Sequence, residues 1–272
     1  MKGQLHKMRS RLDSPVQYEL AINDEHIPLN AFIGKSVSID HSGRIECLHC
    51  KKITKKSYNQ GYCYRCFITL AQCDLCILKP ETCHYAAGTC REPEWGLAFC
   101  FQPHVVYLAN SSDLKVGITR QSQIPTRWID QGAMQALPIF KTESRHIAGL
   151  IEVILARHIN DKTHWQKMLK SPASPIDLLA KRDELLAVCH HELATLCEHY
   201  GQQAFTLAND AVVNIDFPVV SYPEKIKSLC LTKTPVINGV LQGIKGQYLL
   251  LDNGVLNVRK YSGYEVEFRL AE

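Results

Sequence analysis

Cys47-Leu48-His49-Cys50 and Cys63-Tyr64-Arg65-Cys66 are two Cys-x-x-Cys steps separated by twelve residues. Each step turns two thiolates toward one point. Two steps supply the four sulfurs that close a tetrahedral zinc ion at about 2.3 Å. The spacing is that of a zinc ribbon. A shell closed by four sulfurs has no position for water, so the expected role of the ion is structural. Gly61, just before Tyr62-Cys63, suits a tight knuckle turn. A redox dithiol is the competing reading of either step alone.

Outward from these knuckles the cysteines continue. Nine of the twelve in the chain lie between Cys47 and Cys100, which marks that stretch as a unit. Cys73-x2-Cys76 opens a second set, and Cys83, His84, Cys90, Cys100 and His104 offer more ligands than one ion takes. Cys73, Cys76, Cys83 and Cys90 are the simplest four-thiolate group for a second zinc. Cys100-x3-His104 is also a fair ligand pair, and His84 or Cys100 is able to displace one of the four. An iron–sulfur cluster takes the same thiolates and stands as the alternative occupant.

Hydrophobic residues make up 46% and charged residues 21% of the 272, a balance that permits a buried core. No apolar run reaches the roughly 18 residues that span a bilayer, so no membrane is expected as a partner. The basic start, Met1 to Arg9, has no apolar stretch behind it and does not read as a secretory signal. A cytoplasmic location is therefore expected. There thiols stay reduced, and paired spacings mean metal more often than disulfides. From Arg44 to Cys66, Arg44, Lys51, Lys52, Lys55, Lys56 and Arg65 face Glu46 alone. A compact basic module suits a phosphate backbone, and a solvated lysine loop explains the same charges.

Residues 14 to 46 read as short strands with Asn23-Asp24 and Ser42-Gly43 as turns. Val105 to Leu108 and Leu114 to Ile118 are two strands around Asn110-Ser111-Ser112-Asp113. A helix is expected near Pro125 to Ala136, and another from about His146 to His158. After the linker Lys170 to Pro175, one long helix is expected with Ser174 as N-cap and Gly201 as its stop. Cys189 and Cys197 read as core thiols on it, and His190 and His191 as surface residues. Tyr248 to Leu251 and Val255 to Arg259 flank the hairpin turn Asp252-Asn253-Gly254. Asn257, Arg259 and Tyr261 alternate, as residues on one face of a strand do, and offer a basic, aromatic surface for nucleic acid.

The order Val105-Val106-Tyr107, Lys115-Val116-Gly117-Ile118-Thr119-Arg120, Arg127, then Glu152 inside an apolar helix resembles a GIY-YIG nuclease core. The resemblance implies catalytic roles for Tyr107, Lys115, Arg127 and Glu152, with Arg127 clamping phosphate and Glu152 holding Mg²⁺ at the leaving oxygen. Lys115 stands where that family has its second tyrosine, and lysine is a poor base unless its pKa is depressed. Nearly the whole chain also resembles a bacterial family known as domain of unknown function 2797. Gln60-Gly61-Tyr62-Cys63, Gly88-Thr89-Cys90-Arg91-Glu92-Pro93, Lys115 to Arg120 and Thr126 to Ala133 carry that likeness.

The expected fold class is α+β, a cysteine-rich zinc module plus a small GIY-YIG-like mixed sheet with helices, flanked by N- and C-terminal β segments. The expected division is residues 1–45 for the N-terminal β segment, 46–104 for a two-zinc module, 105–170 for the GIY-YIG-like core, 171–208 for the long helix and linker, and 209–272 for the C-terminal β segment. The function expected is nucleic-acid binding, DNA or RNA, with Lys51, Lys52, Lys55, Lys56, Arg120 and Arg259 contacting the backbone. Divalent-metal-dependent phosphodiester cleavage follows if Mg²⁺ is held. The alternative is a non-catalytic zinc adaptor that binds a protein or RNA partner.

Overall fold

The computed structural model describes residues 1–159 and 164–270. Along it run β1 (Lys2–Gln4), β2 (Arg9–Arg11), β3 (Gln17–Ile22), β4 (Glu25–Pro28) and β5 (Ser36–Ile45). The cysteine-rich stretch carries α1 (Tyr64–Thr69) and α2 (Pro93–Phe99). Next come β6 (His104–Asn110), β7 (Leu114–Arg120), α3 (Thr126–Asp130), β8 (Gln135–Thr142) and α4 (Arg145–Ala156). Then follow α5 (Trp165–Lys170), α6 (Leu178–Val188), α7 (His190–Tyr200), β9 (Phe205–Leu207) and β10 (Val213–Asn214). The last strands are β11 (Val236–Lys245), β12 (Tyr248–Leu251), β13 (Gly254–Asn257) and β14 (Tyr264–Leu270). The class is α+β, with helices kept apart from antiparallel sheets.

The two ends of the chain share one six-stranded sheet in the order β1-β14-β5-β11-β12-β13. β11 joins its halves. Residues Val236–Val240 pair with β5, and the strand then shifts register between Leu241 and Gly243 to pair with β12. Gly243 lacks a Cβ where Val219 Cα would stand 2.6 Å away, so the bend closes around a neighbouring backbone.

The central sheet runs β10-β8-β6-β7, with β9 on β8. β6 is buried at every position. Val105, Tyr107 and Ala109 face the core shared with the terminal strands, and Val106 and Leu108 face the core under α4, α6 and α7. Covering both faces explains why its sequence is an unbroken apolar run rather than an alternation.

Several expectations change. The helix expected to reach Ala136 ends at Asp130, because Gly132 turns the chain at φ +67° into β8. The single long helix is two, α6 and α7, broken at Cys189. Its N-cap is Asp177, whose carboxylate accepts from Ala180 N at 3.0 Å, while the Ser174 carbonyl is held by Asn110 Nδ2. Ser42-Gly43 lies inside β5 rather than between strands. Arg259–Tyr261 is a 3₁₀ turn, not strand, and Tyr261 is buried, so the alternating surface does not form. Cys189 is buried among Leu185 and Leu193, and His190 and His191 are exposed, as expected. No helix among the described residues is long and apolar enough to cross a membrane.

Candidate functional site

Cys47, Cys50, Cys63 and Cys66 bring their sulfurs within 4.8 Å of one another. The Cys50–Cys63 sulfurs stand 3.7 Å apart. Four bonds of about 2.3 Å in a tetrahedron demand edges of about 3.8 Å, so the arrangement fits a single ion. The first knuckle follows β5 and closes by Lys51 N donating to Cys47 O at 3.0 Å, with Lys51 at φ +59°. The second opens at Cys63, the residue before α1, and Cys66 follows within the first turn. Gly61 and Gly263 pass back to back, which seats the knuckles on β14.

The electrostatics ask for a cation. Burial pushes Cys47 up, but N–H groups of Cys50, Cys63 and His49 outweigh it and bring that thiol to about 6. Burial and then the neighbouring thiols push Cys66 well up. Four thiolates cannot ionise together here unless positive charge sits between them.

Around the second cysteine set the grouping differs from the simplest expectation. Cys73 packs with Cys47, Cys66 and Leu70, and Asn59 Nδ2 donates to its sulfur at 3.4 Å. Cys76, Cys83, Cys90 and Cys100 instead line one small cavity with Tyr85 and Trp95. Burial pushes Cys76 up to about 11, reinforced by Asp74 and by the other three thiols. His84 is engaged elsewhere, with Nδ1 2.8 Å from Thr89 Oγ1 and Nε2 3.6 Å from Asp74. His104 is buried, and desolvation lowers it from the ordinary 6.5 to about 4, with Nδ1 on the Gln102 carbonyl.

The four residues expected to be catalytic fall into two linked groups. Tyr107 lies directly across from Gly117 in the β6–β7 hairpin. A Cβ at Gly117 would stand 2.8 Å from the Tyr107 ring and hydroxyl, so only glycine lets that side chain cross the strand. The Gln131 amide is placed with its nitrogen donating to Tyr107 Oη at 2.7 Å. Its oxygen then accepts from Arg127 Nε and Nη2 at 3.3 and 3.1 Å. Burial, and less strongly Glu152, pushes Tyr107 up to about 12, offset in part by Arg127. The phenol is wholly buried and stays protonated near neutrality, so its geometry suits holding Gln131 and Arg127 rather than meeting solvent.

Glu152 joins this group from α4. Desolvation raises its carboxyl to about 7, with Arg145 and Arg127 opposing and Glu81 reinforcing. Lys115 lies instead on an open cleft of about 300 Å³ with Gln131, Asp130, Tyr248, Asn257 and Arg259. Arg259 is itself within electrostatic reach of Arg127, Asp130 and Tyr62. Two cationic side chains from distant parts of the chain, Lys115 and Arg259, therefore line one cleft, and Arg127 stands behind it on Gln131. Asp130 is bolted by Lys7 Nζ at 3.0 Å and Gln247 Nε2 at 2.8 Å. Arg127, three residues earlier on α3, is held by Gln131 instead.

Lys51, Lys52, Lys55 and Lys56 are all exposed on the loop between knuckles. Arg120 lies over the Phe99 ring at 5.0 Å, against α2. Two participants escaped the sequence reading. Arg145, whose guanidinium donates to Ile77 O, lies in electrostatic reach of both Glu152 and the Cys76/Cys100 thiols, and Glu81 opposes Glu152 from the 3₁₀ turn Pro80–Thr82. No local motif surrounds either residue.

A family model described as "Protein of unknown function (DUF2797)" matches residues 34–266. No curated protein and no solved structure matches the chain.

Proposed function

From a chain that belongs to the DUF2797 family, we propose a zinc-stabilised protein that binds nucleic acid along the cleft between β7 and the turn after β13. The observation that carries this reading is the meeting of Lys115 and Arg259, from distant parts of the chain, on one cleft that Gln131, the amide holding Arg127, also lines. Like charges brought together at a fold's expense are offset when an anion bridges them, and a phosphodiester backbone is such an anion. Tyr248 and Trp165, stacked at 5.7 Å beside the same cleft, offer an aromatic face for a base. Zinc on Cys47, Cys50, Cys63 and Cys66 holds the loop that presents Lys51 to Lys56.

Cleavage is the second reading, and the GIY-YIG-like order of residues favours it. Arg127 is the group to stabilise charge on phosphate, and Glu152 the carboxylate to hold Mg²⁺. Tyr107 and Gln131 position Arg127. A protein adaptor role remains the competing class.

Salt titration of binding to labelled single- and double-stranded RNA and DNA separates these readings. Backbone binding weakens steeply as salt rises, because counterions are released. Arg259→Gln and Lys115→Gln each reduce the salt slope by about one phosphate contact. Binding indifferent to salt and to both variants rejects the proposal.

A further inference from the structure

Cys76, Cys83, Cys90 and Cys100 come from four separate local turns: the 3₁₀ turn at Leu75–Ile77, the end of the 3₁₀ turn Pro80–Thr82, the loop before α2, and the residue that closes α2. Helix α2 is shaped for this meeting. A Cβ at Gly96 would sit 3.5 Å from Cys90 Sγ and 3.2 Å from the Tyr85 ring, so the helix approaches on its bare side.

The cavity these thiols line measures about 20 Å³, enough to admit a water-sized sphere, which needs roughly 10–15 Å³. Sulfurs drawn in to about 2.3 Å around one zinc leave no such space between them. The Cys47 group shows that compact form, with all four sulfurs inside 4.8 Å. Among the described residues, Cys76 meets that criterion only with Asp74 and His84, and there Arg91 Nε already occupies the carboxylate at 2.6 Å. The two cysteine sets in one module are thus built to different sizes.

A cationic partner stands beside the larger set. Arg145 N donates to Cys100 O at 2.8 Å, and its guanidinium lies in electrostatic reach of Cys100 and Cys76. Its buried Nε has no hydrogen-bond partner among the described residues. Tyr85, Trp95 and Phe101 line the same cavity with aromatic surface.

We propose that Cys76, Cys83, Cys90 and Cys100 hold an iron–sulfur cluster, with Arg145 offsetting its negative charge, while zinc occupies the first knuckle pair alone. Four cysteine thiolates are the ligand set of such clusters, and a polynuclear core spreads them further than one ion does. The inference does not depend on nucleic-acid binding, and its failure would leave the cleft untouched.

Full-length protein purified without oxygen, then supplied with ferric and ferrous iron in equal amounts and with sulfide, is assayed for iron, acid-labile sulfide and zinc. Iron and sulfide in equal amounts, with one zinc per chain and visible absorption bleached by dithionite, are the expected results. Cys90→Ser combined with Cys100→Ser loses the iron and keeps the zinc, and Cys73→Ser keeps both. Two zinc ions with no iron after reconstitution overturn the proposal, as does iron that survives the double variant. Should the double variant fail to fold, Arg145→Met supplies the check: it shifts the cluster's reduction potential downward, and an unchanged potential removes Arg145 from the site.

Discussion

Gly149 of α4 lies against the backbone of Pro80 and Glu81: a Cβ at that position would stand 2.9 Å from Glu81 N and 3.0 Å from the Pro80 carbonyl carbon. The helix that carries Glu152 is thereby docked on the cysteine-rich module at the turn between Cys76 and Cys83. His146 Nδ1, 3.1 Å from Pro80 O, braces the same contact one turn earlier. A metal held by Cys76 and Cys83 would therefore bear on where Glu152 stands.

Gly149→Ala tests the docking. Alanine gains about 1 kcal/mol of helix propensity, but the backbone it meets cannot yield as a side chain would. Overpacking of this kind costs about 1–3 kcal/mol. A lower thermal midpoint is expected; a raised one would mean that α4 is not held against Pro80.

Lys245 is the most anomalous buried group. It is 0% exposed, its Nζ has no hydrogen-bond partner among the described residues, and it lies between the Phe217 and Tyr222 rings at 5.6 and 5.4 Å. Desolvation lowers its pKa from 10.5 to about 8. The unfolded chain then holds more protons than the folded one between those values, so stability rises as pH increases from about 8 to 10.5. Lys245→Met is expected to stabilise the protein by about 1–3 kcal/mol near neutral pH, since each pKa unit corresponds to about 1.4 kcal/mol and ring contacts return part of it. It should also flatten that rise. Urea unfolding at pH 7 and pH 10 measures both effects.

Glu152 carries the opposite sign. Its folded pKa of about 7 lies above the ordinary 4.5, so the stability it contributes is complete below 4.5 and is lost as pH rises through about 7. Glu152→Gln should remove that part of the pH dependence, seen as unfolding midpoints of variant and wild type that converge at low pH and separate above 7. If the cleft cleaves phosphodiesters, the same variant abolishes Mg²⁺-dependent cleavage. Unimpaired cleavage would exclude Glu152 as the metal ligand.

Removing the first knuckle ion should free one zinc per chain. Cys47→Ser, or exposure to a strong chelator, is expected to release it and to open the Lys51–Lys56 loop to protease. A terminal sheet that stays folded would show as retained protection of β5 and β14. Protein that carries no zinc when freshly purified contradicts the knuckle assignment.

The sequence by itself determined the features that close over short spans. Two Cys-x-x-Cys steps specify their own turns, and the β6–β7 and β12–β13 hairpins are set by polar residues between apolar runs. Which distant groups meet was left to the tertiary structure. Cys73 and Cys100 exchange places because α2 carries Cys100 back to the cavity while Asn59 holds Cys73 against the first knuckle. The terminal β segments share one sheet because β5 pairs with both β11 and β14, a pairing of strands some two hundred residues apart that no local period records. Arg145, Glu81 and Lys245 gain their character from burial and from neighbours on other elements. Spacing along a chain encodes turns and faces, whereas desolvation and charge pairing depend on what the completed fold places alongside.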